Sequence, residues 1–189
     1  MDADEYAWLD GLRAGTPAAF DSVFGAYRRR VFGYLVRMTR RHDVAEDLLQ
    51  ETFLRLAQHG RTLTADTRLA SWLFTVAHRL VVSWVRAQAV RAALAGDLPA
   101  REPADPAGRS PLDALATSRA QLALERALAA LPDAYREVAL LVGVEGFPPA
   151  EVAVILGQRP DAIRQRLARA RAMLAEALGD HAPVAWRSP

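Results

Sequence analysis

Apolar side chains return every three or four residues along most of this chain, the spacing of helices that bury one face. Phe20, Val23, Phe24, Tyr27, Val31, Tyr34, Leu35 and Met38 trace one side of a long helix. Val44, Leu48, Leu49, Thr52, Phe53 and Leu56 trace a second. Leu69, Trp72, Leu73, Val76, Ala77, Leu80, Trp84 and Val85 trace a third, about six turns long. Gly60 and the Thr- and Asp-rich stretch 62–67 separate the second from the third. A short helix over 4–14 precedes them, so residues 1–95 read as one helical bundle.

The pattern then stops. Residues 96–111, GDLPAREPADPAGRSP, hold four Pro and two Gly, with Leu98 the one large apolar side chain. Such a segment cannot bury enough surface to offset its ordering entropy, and it reads as a flexible linker. Helical spacing resumes at Leu112 and Leu115 and runs through Leu122 to Leu131, where Pro132 breaks it. A helix over 133–144 follows, built on Tyr135, Val138, Leu141 and Val142, and Gly146-Phe147-Pro148-Pro149 makes a turn. The expected fold class is all-α: two small helical domains, 1–95 and 112–178, joined by the linker 96–111 and followed by a tail, 179–189.

Composition narrows the class. Low aromatic content, 7%, with abundant Ala and Leu, favours packed helices over sheets. No apolar run approaches the roughly 20 residues that span a bilayer, so no membrane insertion is expected. The acidic start Met1-Asp2-Ala3-Asp4-Glu5 is unlike a signal peptide. The chain has no Cys, which removes thiol chemistry and fits a cytoplasmic protein. His42, His59, His78 and His181 show no metal-ligand spacing, so neither a metal nor a cofactor is expected.

Charge is segregated along the chain, and a polyanion responds to such stripes more than to the net +2. Residues 20–41 carry net +5, 42–67 net −3, 68–95 net +4 and 157–175 net +4. Every basic residue is Arg.

The last basic block sits in a helix-turn-helix pattern. Pro149 suits a first helical turn, Val152, Ala153, Ile155 and Leu156 give an inner face, and Gly157 suits a left-handed stop. Pro160 opens the next helix, with Ile163, Leu167, Ala170, Leu174 and Leu178 inward. Asp161, Arg164, Gln165, Arg166, Arg169 and Arg171 occupy its other faces, with Arg159 just before it. A second helix with Gln and Arg near its start suits major-groove reading, its Arg stems reaching phosphates. An ordinary amphipathic helix with a solvated Arg face fits the same pattern.

Two faces of the first domain also carry chemistry. Helix 43–58 has an acidic face, Glu46, Asp47, Gln50 and Glu51. No nucleophile, ligand set or glycine-rich phosphate loop accompanies these carboxylates, which leaves a docking surface or a solvated face and argues against an enzyme or a small-molecule substrate. Helix 68–91 sets Trp72 and Trp84 beside Thr75, Arg79, Ser83 and Arg86, a mixture suited to an opened, stacked DNA strand.

These segments form recognisable words. AFDSVFGAYRRRVFGYLVRM, then DVAEDLLQETFLRL and SWLFTVAHRL, resemble region 2 of the extracytoplasmic-function sigma factors of bacterial RNA polymerase. ALAALPDAYREVALLVGVEGFPPAEVAVILGQRPDAIRQRLARARAML resembles their region 4. Together the words cover about 18–92 and 114–175, in the family's order.

The resemblance implies a factor that binds core polymerase and directs promoter-specific initiation. Glu46, Asp47, Gln50 and Glu51, with Phe53 and Leu54 nearby, are implied to dock on the β′ clamp helices. Arg61, Arg68, Trp72, Thr75, Arg79, Ser83 and Arg86 are implied to capture and melt the −10 element, a loop near 61–68 holding a flipped base. The linker is implied to thread towards the polymerase cleft. The second domain is implied to sit on the β flap and to read the −35 element with Arg159, Asp161, Arg164, Gln165, Arg166 and Arg169. An anti-sigma factor is the implied regulatory partner, and nucleotide addition belongs to the polymerase.

Three stretches depart from the family's usual pattern: Leu69-Ala70 before Ser71-Trp72-Leu73; Ala77-His78-Arg79 with Ser83 and Arg86-Ala87-Gln88; and Arg159 with Asp161 to Arg166, where a Ser cap is usual. They bear on promoter sequence more than on role. Two other readings stay open on these residues: a sigma-like decoy, and a free-standing helix-turn-helix regulator that binds duplex DNA alone.

Overall fold

The computed structural model describes residues 3–95 and 119–179, and every element among them is helical. The chain divides into two compact units, Met1–Pro103 and Ala104–Pro189. The expected linker 96–111, residues 112–118 and the tail beyond Gly179 lie outside the described residues.

The first unit holds α1 (Ala3–Ala14), α2 (Pro17–Thr39), α3 (His42–His59) and α4 (Leu69–Ala95). A 3-10 turn, Gly60–Thr62, follows α3 directly. Helix α2 packs on α1, α3 and α4, and α3 packs on α4. The core is built on the apolar stripe read from the spacing, with Val23, Val31, Leu35, Leu56, Leu69, Leu73 and Ala77 buried, and it also takes in Phe74, which the spacing did not include. Aromatic rings join α2 to α3. Phe24 meets Phe53 edge-on at 4.8 Å between centroids, and Phe20 meets Phe53 edge-on at 6.3 Å. Tyr34 and Phe74 pack in the same way between α2 and α4, at 5.5 Å.

Local signals set the ends of these helices. Pro17 occupies the first turn of α2, and Arg40 at its end adopts a left-handed conformation, φ 59°, while its N–H reaches the Val36 carbonyl. Arg41 precedes α3 and binds Asp43 in its first turn. That bond and the Val44 N–H hold the Asp43 carboxyl below the usual carboxylate range.

The second unit holds α5 (Arg119–Ala130), α6 (Asp133–Ala139), α7 (Pro149–Ile155) and α8 (Pro160–Leu178). Helix α8 packs against α5, α6 and α7 around Val138, Leu141, Val152, Ile155, Ile163, Ala170 and Leu174. One buried cation helps to hold this small interior. The Arg136 guanidinium is 1% exposed. It donates from Nε to the Leu128 carbonyl at 3.0 Å and from Nη2 to that of Leu131, and Nη1 lies 2.9 Å from Asp133 Oδ1. A positive group thus meets the carbonyl end of α5, where the helix dipole is negative and the last carbonyls lack helical partners.

The structure corrects the sequence reading in three places. The helix expected over 133–144 is α-helical only to Ala139; Leu140–Val144 widens into a π turn, closed by the Glu145 N–H on the Leu140 carbonyl at 2.9 Å. Val85 belongs to the core stripe by its spacing, yet it is 44% exposed, because apolar spacing marks a face without saying how far the neighbouring helices extend along it. Leu122 is likewise 38% exposed.

Candidate functional site

Helix α3 presents one polar face to solvent. Glu46, Asp47 and Gln50 are exposed, and Glu51 is half-buried and binds Arg55 one turn on, Arg55 Nε donating at 2.9 Å. Glu46 Oε1 lies 3.4 Å from His42 Nδ1. Leu54 continues this face and is 51% exposed, a large apolar side chain left in water beside carboxylates. Phe53 does not belong to it. At 3% exposed it is clamped between Phe20 and Phe24, so it supports the face from beneath instead of offering a surface.

The 3-10 turn carries the chain to α4 through a short ordered loop. Leu63 is buried and anchors it. The Thr64 N–H donates to Thr67 Oγ1 at 3.1 Å, and the Thr67 N–H returns to the Thr64 carbonyl at 3.1 Å. The Thr64 hydroxyl holds the Asp66 carboxyl below its ordinary range. Arg61 and Arg68 stand at the two ends of this loop, Arg61 exposed.

Trp72, Thr75, Arg79, Ser83 and Arg86 follow offsets of three and four along α4 and so share one stripe of the helix. Arg79, Ser83 and Arg86 are exposed; Trp72 and Thr75 are half-buried, Thr75 Oγ1 donating to the Ser71 carbonyl at 2.7 Å. Between Leu69 and Ala95 there is no acidic residue, so the stripe is basic without internal compensation. The bundle therefore shows an acidic face on α3 and a basic, aromatic face on α4.

In the second unit α7 is followed by Gly157, φ 62°, a left-handed turn that favours glycine, and the chain re-enters a helix at Pro160. Arg159 sits at the cap of α8 with no side-chain hydrogen bond there. Arg159, Asp161, Arg164, Gln165 and Arg169 are exposed and Arg166 is half-buried. Asp161 and Arg164 form an ion pair one turn apart.

Sequence reasoning missed the roles of Glu5 and Arg136, and it read Tyr27 only as a core position. Tyr27 Oη donates to Glu5 Oε1 at 3.0 Å, and burial, reinforced by that bond and the Glu5 charge, pushes the Tyr27 hydroxyl far above its ordinary range. Nothing local flags Glu5, since its partners stand 22 and 65 residues away. Arg136 could have been suspected from Asp133 one turn earlier. Among the described residues no group of three or more His, Asp or Glu is placed to hold a metal, and no helix is long and apolar enough to cross a membrane.

Known proteins match this arrangement. Residues 23–91 match the family model for sigma-70 region 2, and 121–174 match that for sigma-70 region 4. The chain is 34% identical over 172 residues to RNA polymerase sigma factor CarQ of Myxococcus xanthus, covering 91% of this chain and 96% of that one. It is 30% identical to the extracytoplasmic-function sigma factor SigM of Mycobacterium tuberculosis, covering 88% and 80%. Among solved structures, the sigma factor RpoE of Bartonella quintana, in complex with the anti-sigma factor NepR, superposes with a TM-score of 0.70 at 25% identity, covering 84% of this chain and 96% of that one. CnrH, in complex with the cytosolic domain of CnrY, shares the fold at 20% identity, TM-score 0.67, covering 94% and 98%. With both regions matched in order and a relative of this identity spanned almost end to end, the chain belongs to the sigma-70 family as an extracytoplasmic-function sigma factor and serves promoter-specific transcription initiation.

Proposed function

We propose that the first unit divides its labour between two faces. The α3 face, Glu46, Asp47, Gln50, Glu51 and Leu54, docks on the β′ clamp helices of core polymerase, where the apolar Leu54 is desolvated and the carboxylates meet basic partners. The α4 stripe from Trp72 to Arg86, with Arg61 and Arg68 at the loop ends, captures and melts the −10 element. The observation that carries this reading is the separation of charge, acidic on α3 and uniformly basic on α4.

The second unit sits on the β flap and reads the −35 element through the start of α8, Gln165 towards base edges and Arg159, Arg164, Arg166 and Arg169 towards phosphates and bases. Residues 96–111 thread into the polymerase cleft as the tether between the two domains. The chain works in the cytoplasm with its polymerase and carries no catalysis of its own. RpoE and CnrH were each solved with a partner, NepR and CnrY; by the same logic an anti-sigma factor covers the polymerase-facing surfaces of this chain.

A run-off transcription assay tests this reading: purified chain, core polymerase from the source organism or a close relative, and a genomic promoter library. Transcripts that depend on the chain and share upstream −35 and −10 motifs are the expected result. A chain that binds core but starts no transcript is a decoy, and one that binds duplex DNA without core is a free-standing regulator.

A further inference from the structure

Helix α1 touches the −10 loop at both of its ends. At the entry, Gly60 lies against α1, where a Cβ would make ordinary van der Waals contact, 3.5 Å from the Leu12 carbonyl oxygen and 3.6 Å from Leu12 Cβ. Beside it the Arg61 guanidinium lies over the backbone of Gly15, at the end of α1; a Cβ on Gly15 would come within 2.5 Å of Arg61 Nε and Nη2. Gly15 has φ 76°, so its conformation favours glycine, and the missing Cβ leaves the space that the Arg61 guanidinium occupies. A groove of about 430 Å³ opens at this point, lined in part by Thr16, Phe20, Gln58 and Arg61.

At the exit, Glu5 reaches from α1 to the head of α4. The Ala70 N–H, in the first turn of α4, donates to Glu5 Oε1 at 3.4 Å. Arg68, whose carbonyl accepts the Trp72 N–H, stands where an N-cap residue would supply a side-chain oxygen. An arginine side chain has no acceptor to give. A carboxylate from another helix takes that place and also complements the positive end of the α4 dipole. Tyr27 holds the same oxygen from α2 at 3.0 Å. Arg30 lies over the rings of Tyr27 and Phe74, at 5.5 and 5.9 Å, which ties this junction into the α2–α4 core.

We propose that α1 is the positioning element of the −10 loop, with Glu5 as the positioning residue that sets the start of α4 and Gly15 as the seat that sets Arg61. The inference rests on the −10 assignment above. Neither residue touches DNA; each fixes the residues that do. Bases splayed from a strand are held by stacking and short hydrogen bonds, both of which fail over small displacements, so a loop free at either end loses affinity for that strand before the fold is lost.

The test uses the full chain bound to core polymerase. It compares wild type, Glu5→Ala, Glu5→Gln and Gly15→Ala for binding to a single-stranded −10 oligonucleotide taken from a promoter recovered in the run-off assay. Core affinity, duplex −35 binding and thermal midpoint are measured alongside. Glu5→Ala is expected to weaken −10 strand binding on the order of tenfold, the size of one missing charged hydrogen bond, and Gly15→Ala to weaken it in the same direction by displacing Arg61. Core and −35 binding stay within about twofold of wild type by the same scale. Glu5→Gln, which keeps an oxygen acceptor for Ala70, recovers most of the loss. Wild-type −10 binding in Glu5→Ala overturns the proposal, as does an equal fall in −10, −35 and core binding with a lowered midpoint, which marks a purely structural role. A wild-type complex that captures no −10 strand defeats the parent assignment itself, a result distinct from either.

Discussion

The two units present charged helix faces from interiors built on different chemistry. In the first, rings from three helices interlock, Phe20, Phe24 and Phe53 on one side and Tyr34 and Phe74 on the other. In the second, Tyr135 and Phe147 are the only aromatic residues of 119–179, and the largest fully buried side chain is a charged one, Arg136. The larger bundle gains its rigidity from apolar area. The smaller one, with short helices, has several helix ends close to its interior, and an unsatisfied buried carbonyl there costs more than the fixed cation that answers it. Functional faces follow the same division. The α3 face is supported from beneath by aromatic packing at Phe53, whereas the start of α8 follows a glycine turn at Gly157 and has no side-chain cap.

The sharpest way to break this contrast is Arg136→Ala. It removes one donor from each of the Leu128 and Leu131 carbonyls, of which Leu128 keeps the Leu131 N–H, and leaves a cavity, so the second unit is expected to lose about 3–5 kcal/mol. In calorimetry its transition shifts down or vanishes while that of the first unit stays in place. If both units soften together, they are not independent and the contrast fails. Next in size is the double change Asp47→Arg and Gln50→Arg. Reversing the α3 face is expected to weaken core polymerase binding by at least about a hundredfold, with helicity unchanged, because both positions are exposed and outside the core. Unaltered affinity removes α3 from the interface.

The second unit's face is probed by Arg166→Ala and Arg169→Ala. Removing one Arg–phosphate interaction is expected to flatten the salt dependence of −35 DNA binding by about one unit in the log–log slope. A slope that does not move means these side chains never reach the DNA backbone. Arg164→Ala should give a smaller fall in affinity than either, since its gain on DNA is partly offset by leaving Asp161. The smallest effect is silent at neutral pH. The Tyr27 hydroxyl ionises far higher in the fold than in the unfolded chain, where its value is near 10. Its contribution is therefore complete below about pH 10 and lost as pH rises above that value. Wild type is expected to lose stability in the first unit above about pH 10 more steeply than Tyr27→Phe, as followed by circular dichroism. Parallel curves would show that the Glu5–Tyr27 bond carries no such linkage.

Much of the candidate site's layout could be read from residue order, for a definable reason. The α4 stripe is written at offsets of three and four, and a helix turns those offsets into a face wherever it is found. Gly157 between two apolar-periodic segments signals the turn in the same local way. Phe53 shows where such reading stops. It stands next to Leu54 in sequence, but neighbours on a helix point about 100° apart, and only the position of α2 decides that one is buried and the other presented. Val85 departs from its expected burial for a related reason, because periodicity marks a face without saying how far the partner helices extend along it.

By itself the sequence determined the helical class, the break into two domains, the charge carried by each helix face and the family, all of which depend on local spacing or on words of consecutive residues. Only the tertiary structure decided which side chains support those faces. Glu5 meets the Ala70 N–H across 65 residues, Arg61 settles over Gly15, and Arg136 reaches back to the end of the preceding helix. Such pairings have no periodic signature, since they arise where the ends of helices meet in space. Unsatisfied backbone groups and helix dipoles are concentrated at those ends, and whichever charged side chain packing brings near them is held there.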